Sequence, residues 1–139
     1  MSLSTYLFYD GNCAEAFDFY KAALGGNIII STTFGDAPPD MNVADADKDK
    51  IMHVSMKVGD DVLMGSDLIA GFSEVKPAGG NFSISYSPET KDDADRVFAA
   101  LFDGGEVTME MQDTFWGAYF GQGRDKFGVS WMINVDLQT

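Results

Sequence analysis

Apolar positions along the chain switch between two periods, in the same order twice. Residues 4–9, 27–33, 51–58 and 62–66 in the first half are short runs rich in β-branched and aromatic side chains or alternating with polar ones, and they predict strands. Residues 81–87, 106–111, 118–122 and 129–135 do the same in the second half. After the first run of each set the period lengthens. Phe17, Tyr20 and Leu24, and later Val97, Phe98 and Leu101, fall on one stripe of a helix of about three turns. Asn12 and Thr90 have the chemistry of N-caps, and Glu15 and Asp93 stand three residues on, as in a capping box. Gly25-Gly26 and Gly104-Gly105 are expected to supply left-handed C-terminal caps, one residue later in the second copy. Gly59-Asp60-Asp61 predicts a hairpin turn in the first half, and a turn containing Gly123 and Gly128 closes the second.

The order is strand, helix and three strands, twice over, and the two copies align residue by residue. Ala16 corresponds to Ala94, Tyr20 to Phe98 and Ala22 to Ala100 at one constant offset. Half-modules of about 60 residues are marginal alone, so residues 1–139 are expected to form a single domain. Module one covers about 4–69 and module two about 81–136, with loops expected at 35–50 and 70–80.

Alternation sorts the strand side chains onto two faces. Tyr6 and Phe8 oppose Thr5, Leu7 and Tyr9; Met52, Val54, Met56 and Val58 oppose His53, Ser55 and Lys57. In the second half Phe82, Ile84 and Tyr86 oppose Ser83, Ser85 and Ser87, while Val129, Trp131, Ile133 and Val135 oppose Ser130, Met132 and Asn134. The strongly apolar face fits beneath the helices. The small, polar face is either simply solvated or a small-molecule pocket lined by His53, Ser55, Ser83, Ser85 and Asn134, with Trp116 at its rim.

Charge narrows the partners. With 22 acidic against 9 basic side chains the formal net charge is −13, which leaves no basic stripe for a phosphate backbone or an anionic membrane. No apolar run has the length of a membrane span, no basic flank and apolar core mark a signal peptide, and a cytoplasmic location is expected. The single cysteine, Cys13, allows no internal disulfide and no cysteine-rich metal site.

Among candidate chemical groups, His53 is the chain's one histidine and a candidate general base, or a hydrogen-bonded structural residue. Cys13 falls in the first turn of its helix, where the macrodipole lowers a thiol pKa, although free cysteine is more often buried. The run from Asp45 to Lys50 opens like a calcium loop, but Lys50 stands where glycine is needed and Met56 where a bidentate glutamate is needed, so a solvated loop is expected. Phe115 and Trp116 concentrate aromatic surface in a loop that faces either a ligand or a second subunit.

Several segments together resemble the PhnB-like family: residues 6–20, Met52-His53, residues 63–67, residues 113–117 and residues 125–134. That family belongs to the vicinal oxygen chelate superfamily of glyoxalase I, extradiol dioxygenases, and fosfomycin- and bleomycin-resistance proteins. The resemblance implies an α+β fold in which two paired βαβββ modules form a curled, cup-shaped mixed sheet with helices on its outer face. It implies a homodimer, and a metal held by residues of the first and last strand of each module. Those places fall at Thr5 or Tyr6, Met64 or Gly65, Phe82 or Ser83, and Trp131 or Met132, none of them imidazole or carboxylate. The reading is therefore a protein that binds a small organic molecule, like the bleomycin-binding relatives, with no metal and no cofactor. The alternatives are a lyase or dioxygenase-like enzyme with atypical or no metal and His53 as base, and an interaction protein with an empty cup. Relatives have also been labelled ubiquinone-pathway methyltransferases. A Rossmann-type methyltransferase needs a glycine-rich turn between strand and helix, whereas Gly121-Gln122-Gly123 leads into a strand signal.

Overall fold

The computed structural model describes residues 2–70 and 81–137 and divides into two units, Met1–Pro77 and Ala78–Thr139. The first unit contains β1 (Thr5–Tyr9), α1 (Cys13–Leu24), β2 (Asn27–Thr33), β3 (Ile51–Val58) and β4 (Asp61–Asp67). Three short 3-10 turns, Phe34–Asp36, Pro39–Met41 and Asp45–Asp47, occupy the stretch between β2 and β3. The second unit contains β5 (Ile84–Tyr86), α2 (Lys91–Leu101), β6 (Glu106–Asp113), β7 (Ala118–Arg124) and β8 (Ser130–Asp136). The glycine-rich loop expected at 70–80 lies, apart from Ala70, outside the described residues.

Each unit is a four-stranded mixed sheet, ordered β1-β4-β3-β2 in one and β5-β8-β7-β6 in the other. The first strand of each unit pairs in parallel with the last, and the remaining pairs are antiparallel. The fold is therefore α+β, built from two βαβββ units whose sheets stay open. Irregular register within β2 and β6 bends these outer strands.

Each helix covers one face of its own sheet. In α1 the buried stripe is Cys13, Ala16, Phe17, Tyr20, Ala23 and Leu24; in α2 it includes Ala94, Val97 and Leu101. The sheet residues beneath are buried too: Leu7, Tyr9, Val54, Met56 and Leu63 in the first unit, and Trp131, Ile133 and Val135 in the second. β1 is apolar on both faces, and it is Leu7 and Tyr9 that turn inward, leaving Tyr6 37% exposed. Tyr9 and Tyr20 share a buried hydroxyl-to-hydroxyl hydrogen bond of 2.8 Å. Glycines inside the strands set the close approach: a Cβ at Gly65 would stand 2.6 Å from Phe17 Cε1, and one at Gly121 would stand 2.9 Å from Phe98 Cε2.

Three punctuation expectations and one strand length are corrected. Asn12 makes no side-chain cap; Gly11 N–H and Cys13 N–H instead donate to Asp67 Oδ1 at 3.0 and 2.9 Å, so the carboxylate at the end of β4 caps α1. At α2 the local cap holds, with Thr90 Oγ1 accepting from Asp93 N–H at 3.1 Å. Gly25 has φ 74° and caps α1, but α2 already ends at Leu101 and Gly104, φ 77°, lies in the turn beyond it. Gly123 is inside β7 opposite Trp131, where a Cβ would stand 2.5 Å from the Glu106 carbonyl oxygen and 3.0 Å from the Phe102 ring; only Gly128 lies in the turn. The strand expected at 81–87 shortens to Ile84–Tyr86.

A second buried carboxylate organises that last turn. Asp125 Oδ1 accepts from Phe127 N–H and Val129 N–H at 2.8 and 3.0 Å, and its Oδ2 accepts from Trp131 Nε1–H at 2.9 Å.

Candidate functional site

The face of the first sheet turned away from α1 carries the one histidine. Register places Ser55 on β3 opposite Met64 on β4, and Met64 opposite Tyr6 on β1. His53 lies two residues from Ser55, on the same face. These placements bring three polar side chains into one line: Tyr6 Oη is 3.0 Å from His53 Nδ1, and His53 Nε2 is 2.9 Å from Ser55 Oγ. To reach β3, the Tyr6 side chain crosses over the intervening strand β4.

A neutral imidazole has one donor and one acceptor nitrogen, so the line runs in one of two directions. Either Tyr6 O–H donates to Nδ1 and Nε2–H donates to Ser55 Oγ, or Ser55 O–H donates to Nε2 and Nδ1–H donates to Tyr6 Oη. Changing the tautomer reverses the whole line without moving a heavy atom. Phe8 extends it with an aromatic contact, its ring centroid 5.1 Å from that of Tyr6 at 37°, while Tyr6 and His53 lie 5.6 Å apart at 33°.

The sequence-predicted site residues divide between the units. His53 and Ser55 belong to the first and are brought together; Ser83, Ser85, Asn134 and Trp116 belong to the second. Ser85 is exposed on β5 opposite Met132, and Ser83 is exposed just before that strand. Asn134 on β8 is half-buried opposite Phe120 on β7. Trp116 meets Phe120 at 6.0 Å and Phe115 at 5.0 Å in the loop between β6 and β7, with Phe115 98% and Trp116 52% exposed. The sequence pattern does not place Tyr6 beside His53 or Phe120 beside Trp116. Tyr6 has a signal, an aromatic residue on the second face of β1, but its partner stands two strands away.

Cys13 opens α1 as expected, and of its two readings the buried cysteine holds. It is fully buried, and burial, aided by the nearby Asp67 carboxylate, pushes its thiol well above the ordinary range, against the macrodipole. In the loop from Asp45 to Lys50, Lys48 pairs with Asp45 at 2.8 Å and Lys50 with Asp47 at 2.9 Å. Two of its aspartates thus already face ammonium groups.

The family model of 3-demethylubiquinone-9 3-methyltransferase matches residues 1–134. The chain is 31% identical to Protein YjdN of Escherichia coli (strain K12), over 99% of this chain and 97% of that one. It is also similar to protein PA1353 from Pseudomonas aeruginosa, with 41% identity, a TM-score of 0.86 and 98% of each chain covered. The chain belongs to the PhnB-like family of the vicinal oxygen chelate superfamily. Two further structures share the PhnB-like fold. One is a putative 3-demethylubiquinone-9 3-methyltransferase, PhnB protein, from Bacillus cereus, with 23% identity, a TM-score of 0.74, and 97% of this chain and 99% of that one covered. The other is a glyoxalase/bleomycin resistance protein/dioxygenase family enzyme from Burkholderia phytofirmans PsJN, with 16% identity, a TM-score of 0.64, and 96% and 97% covered.

Two groups that this membership suggests can be tested against the donors present. A first-row divalent metal takes imidazole, carboxylate or thiolate. In this PhnB-like chain the open-face positions of the first and last strands are Tyr6 and Met64 in one unit and Ser85 and Met132 in the other, and both His53 nitrogens already have hydroxyl partners. Among the described residues no three His, Cys, Asp or Glu gather. The donor set does not fit such a metal. An adenosyl group in a Rossmann-type site needs free amides at a glycine-rich strand-to-helix turn. At the β1-to-α1 junction the amides of Gly11 and Cys13 are taken by Asp67, and Gly121-Gln122-Gly123 is strand β7, so that fit fails as well.

Proposed function

We propose that this PhnB-like protein binds a small organic molecule on the open face of its first sheet and does so without a metal. The carrying observation is the Tyr6–His53–Ser55 line, which runs from exposed Tyr6 through half-buried His53 to buried Ser55 on a face that Phe8 and Met64 share with Ser66 and Lys57. A few placed polar groups among apolar ones are the usual form of a ligand site. The high negative charge favours neutral or cationic ligands over anions. The protein acts as a cytoplasmic homodimer in this reading, following the superfamily resemblance and the acidic composition.

The test is a thermal-shift panel of chelator-treated protein against a small-metabolite library and, separately, divalent metals. An organic compound is expected to raise Tm with no metal present, and His53→Phe is expected to abolish that rise. Stabilisation that appears only with a transition metal, saturating at one per subunit, overturns the proposal.

The same line favours one second reading, a metal-free acid–base catalyst with His53 as base and Tyr6 as the group that orients it. Turnover of a bound compound that vanishes in His53→Gln while binding persists would select it over the binding module.

A further inference from the structure

Granted that this face holds a small molecule, a reading on which the ligand's class depends, we infer that the ligand is an uncharged flat aromatic or heteroaromatic ring carrying a hydroxyl or carbonyl group. Phe8, Tyr6 and His53 form a row whose neighbouring rings are tilted by only 37° and 33°. Several other ring pairs meet differently. Tyr9–Phe17 and Phe17–Tyr20 in the core of the same unit stand edge to face at 83° and 75°, and Phe98–Phe102 in the other unit at 83°. Edge-to-face contact joins the rim of one ring to the face of another, whereas these tilted rings turn more of their faces toward a common side, where another flat ring can stack. Tyr6, laid across β4 by its bond to His53, is 37% exposed, and Phe8 and His53 are half-buried. The row is therefore reachable and held in place.

The polar half of the ligand is set by the partners of the imidazole. Both are hydroxyls, so no carboxylate or ammonium is hydrogen-bonded into the line. It does have both hydrogen-bonding senses. When Tyr6 donates to Nδ1, its oxygen still has a lone pair to accept from a ligand hydroxyl; when Ser55 donates to Nε2 and Nδ1–H donates to Tyr6, Tyr6 has its proton free for a ligand carbonyl. One heavy-atom arrangement thus accommodates either a phenol-like or a ketone-like group.

Because His53 is the chain's one histidine, its imidazole resonances are a unique NMR reporter of this face. The probes are 2-naphthol, its saturated counterpart decahydro-2-naphthol, and 2-naphthoate, each titrated into the intact chain. 2-Naphthol is expected to shift the His53 ring protons saturably, with decahydro-2-naphthol about tenfold weaker, the order of one aromatic stacking contact, and with 2-naphthoate weaker than 2-naphthol because its carboxylate is charged. Tyr6→Leu should abolish the shift, and Phe8→Leu, which leaves the hydrogen-bonded line intact, should weaken it by several-fold, both with unchanged circular dichroism. Equal binding of the saturated or the anionic probe overturns the ligand class while leaving small-molecule binding in place. The class also falls if 2-naphthol leaves His53 unmoved while another library compound shifts it. If no compound moves His53, the ligand class and small-molecule binding on this face fall together.

Discussion

Single side chains at the sheet ends hold more of this fold than their polarity suggests. Asp67 is 4% exposed, and besides the two amides at the start of α1 it accepts from Ile51 N–H at 2.8 Å through Oδ2. Replacing it with alanine strands two buried donors and a third that is part-buried, and Asp67→Ala is expected to cost about 3 to 5 kcal/mol in urea unfolding, with Asp67→Asn costing less because one acceptor remains. Tyr119 gives a second prediction. Its hydroxyl donates to Asp95 Oδ1 at 2.6 Å, and this bond, then desolvation and the nearby carboxylates, raises its pKa from 10.0 to about 12. A pKa raised on folding gives stability that is full below the unfolded value and fades as pH climbs through the folded one. Stability should therefore decline between pH 10 and about 12, and Tyr119→Phe should flatten part of that decline. The effect is small because the pair is exposed. Denaturant titrations across that range, in both proteins, measure it.

Among the elements, the outcome turns on glycines that lie within strands. Gly65 lets Phe17 of α1 rest on β4, and Gly65→Ala is expected to destabilise by about 1 to 3 kcal/mol, since the aromatic ring cannot move without disturbing Tyr9 and Tyr20. A near-neutral result in thermal unfolding would show that the helix slides freely. Here the limits of the sequence are visible. The helices, the order of elements and the inward set Trp131, Ile133 and Val135 were legible, because a 3.6-residue or two-residue period is a local signal. Gly123 was misread as a turn because a glycine needed for close approach and one needed for positive φ look identical in a sequence. The candidate site was legible in part: alternation paired His53 with Ser55 on one strand, whereas Tyr6 joins them across β4, through a register no local pattern contains. The cap of α1 escaped notice for the same reason, its acceptor lying 54 residues from Cys13.

For the whole molecule, charge sets the scale of behaviour. A net charge of −13 is met by scattered, mostly exposed ion pairs such as Lys91 with Asp113 at 2.9 Å, so self-repulsion persists across the surface. Raising ionic strength from about 0.01 to about 0.15 M, which shortens the Debye length from about 30 to about 8 Å, is expected to raise Tm in calorimetry. A falling Tm would mean that attractive pairs outweigh the repulsion. The two units are also expected to differ in timing. The first turn of α2 is closed by Thr90, its immediate neighbour, and can form as soon as that segment leaves the unfolded ensemble. The first turn of α1 waits for Asp67, and so for the docking of β4 beside β1, a loop closure whose entropy must be met first. Refolding from denaturant should therefore protect the Asp93 amide from hydrogen exchange before the Cys13 amide, although α1 comes first in the chain.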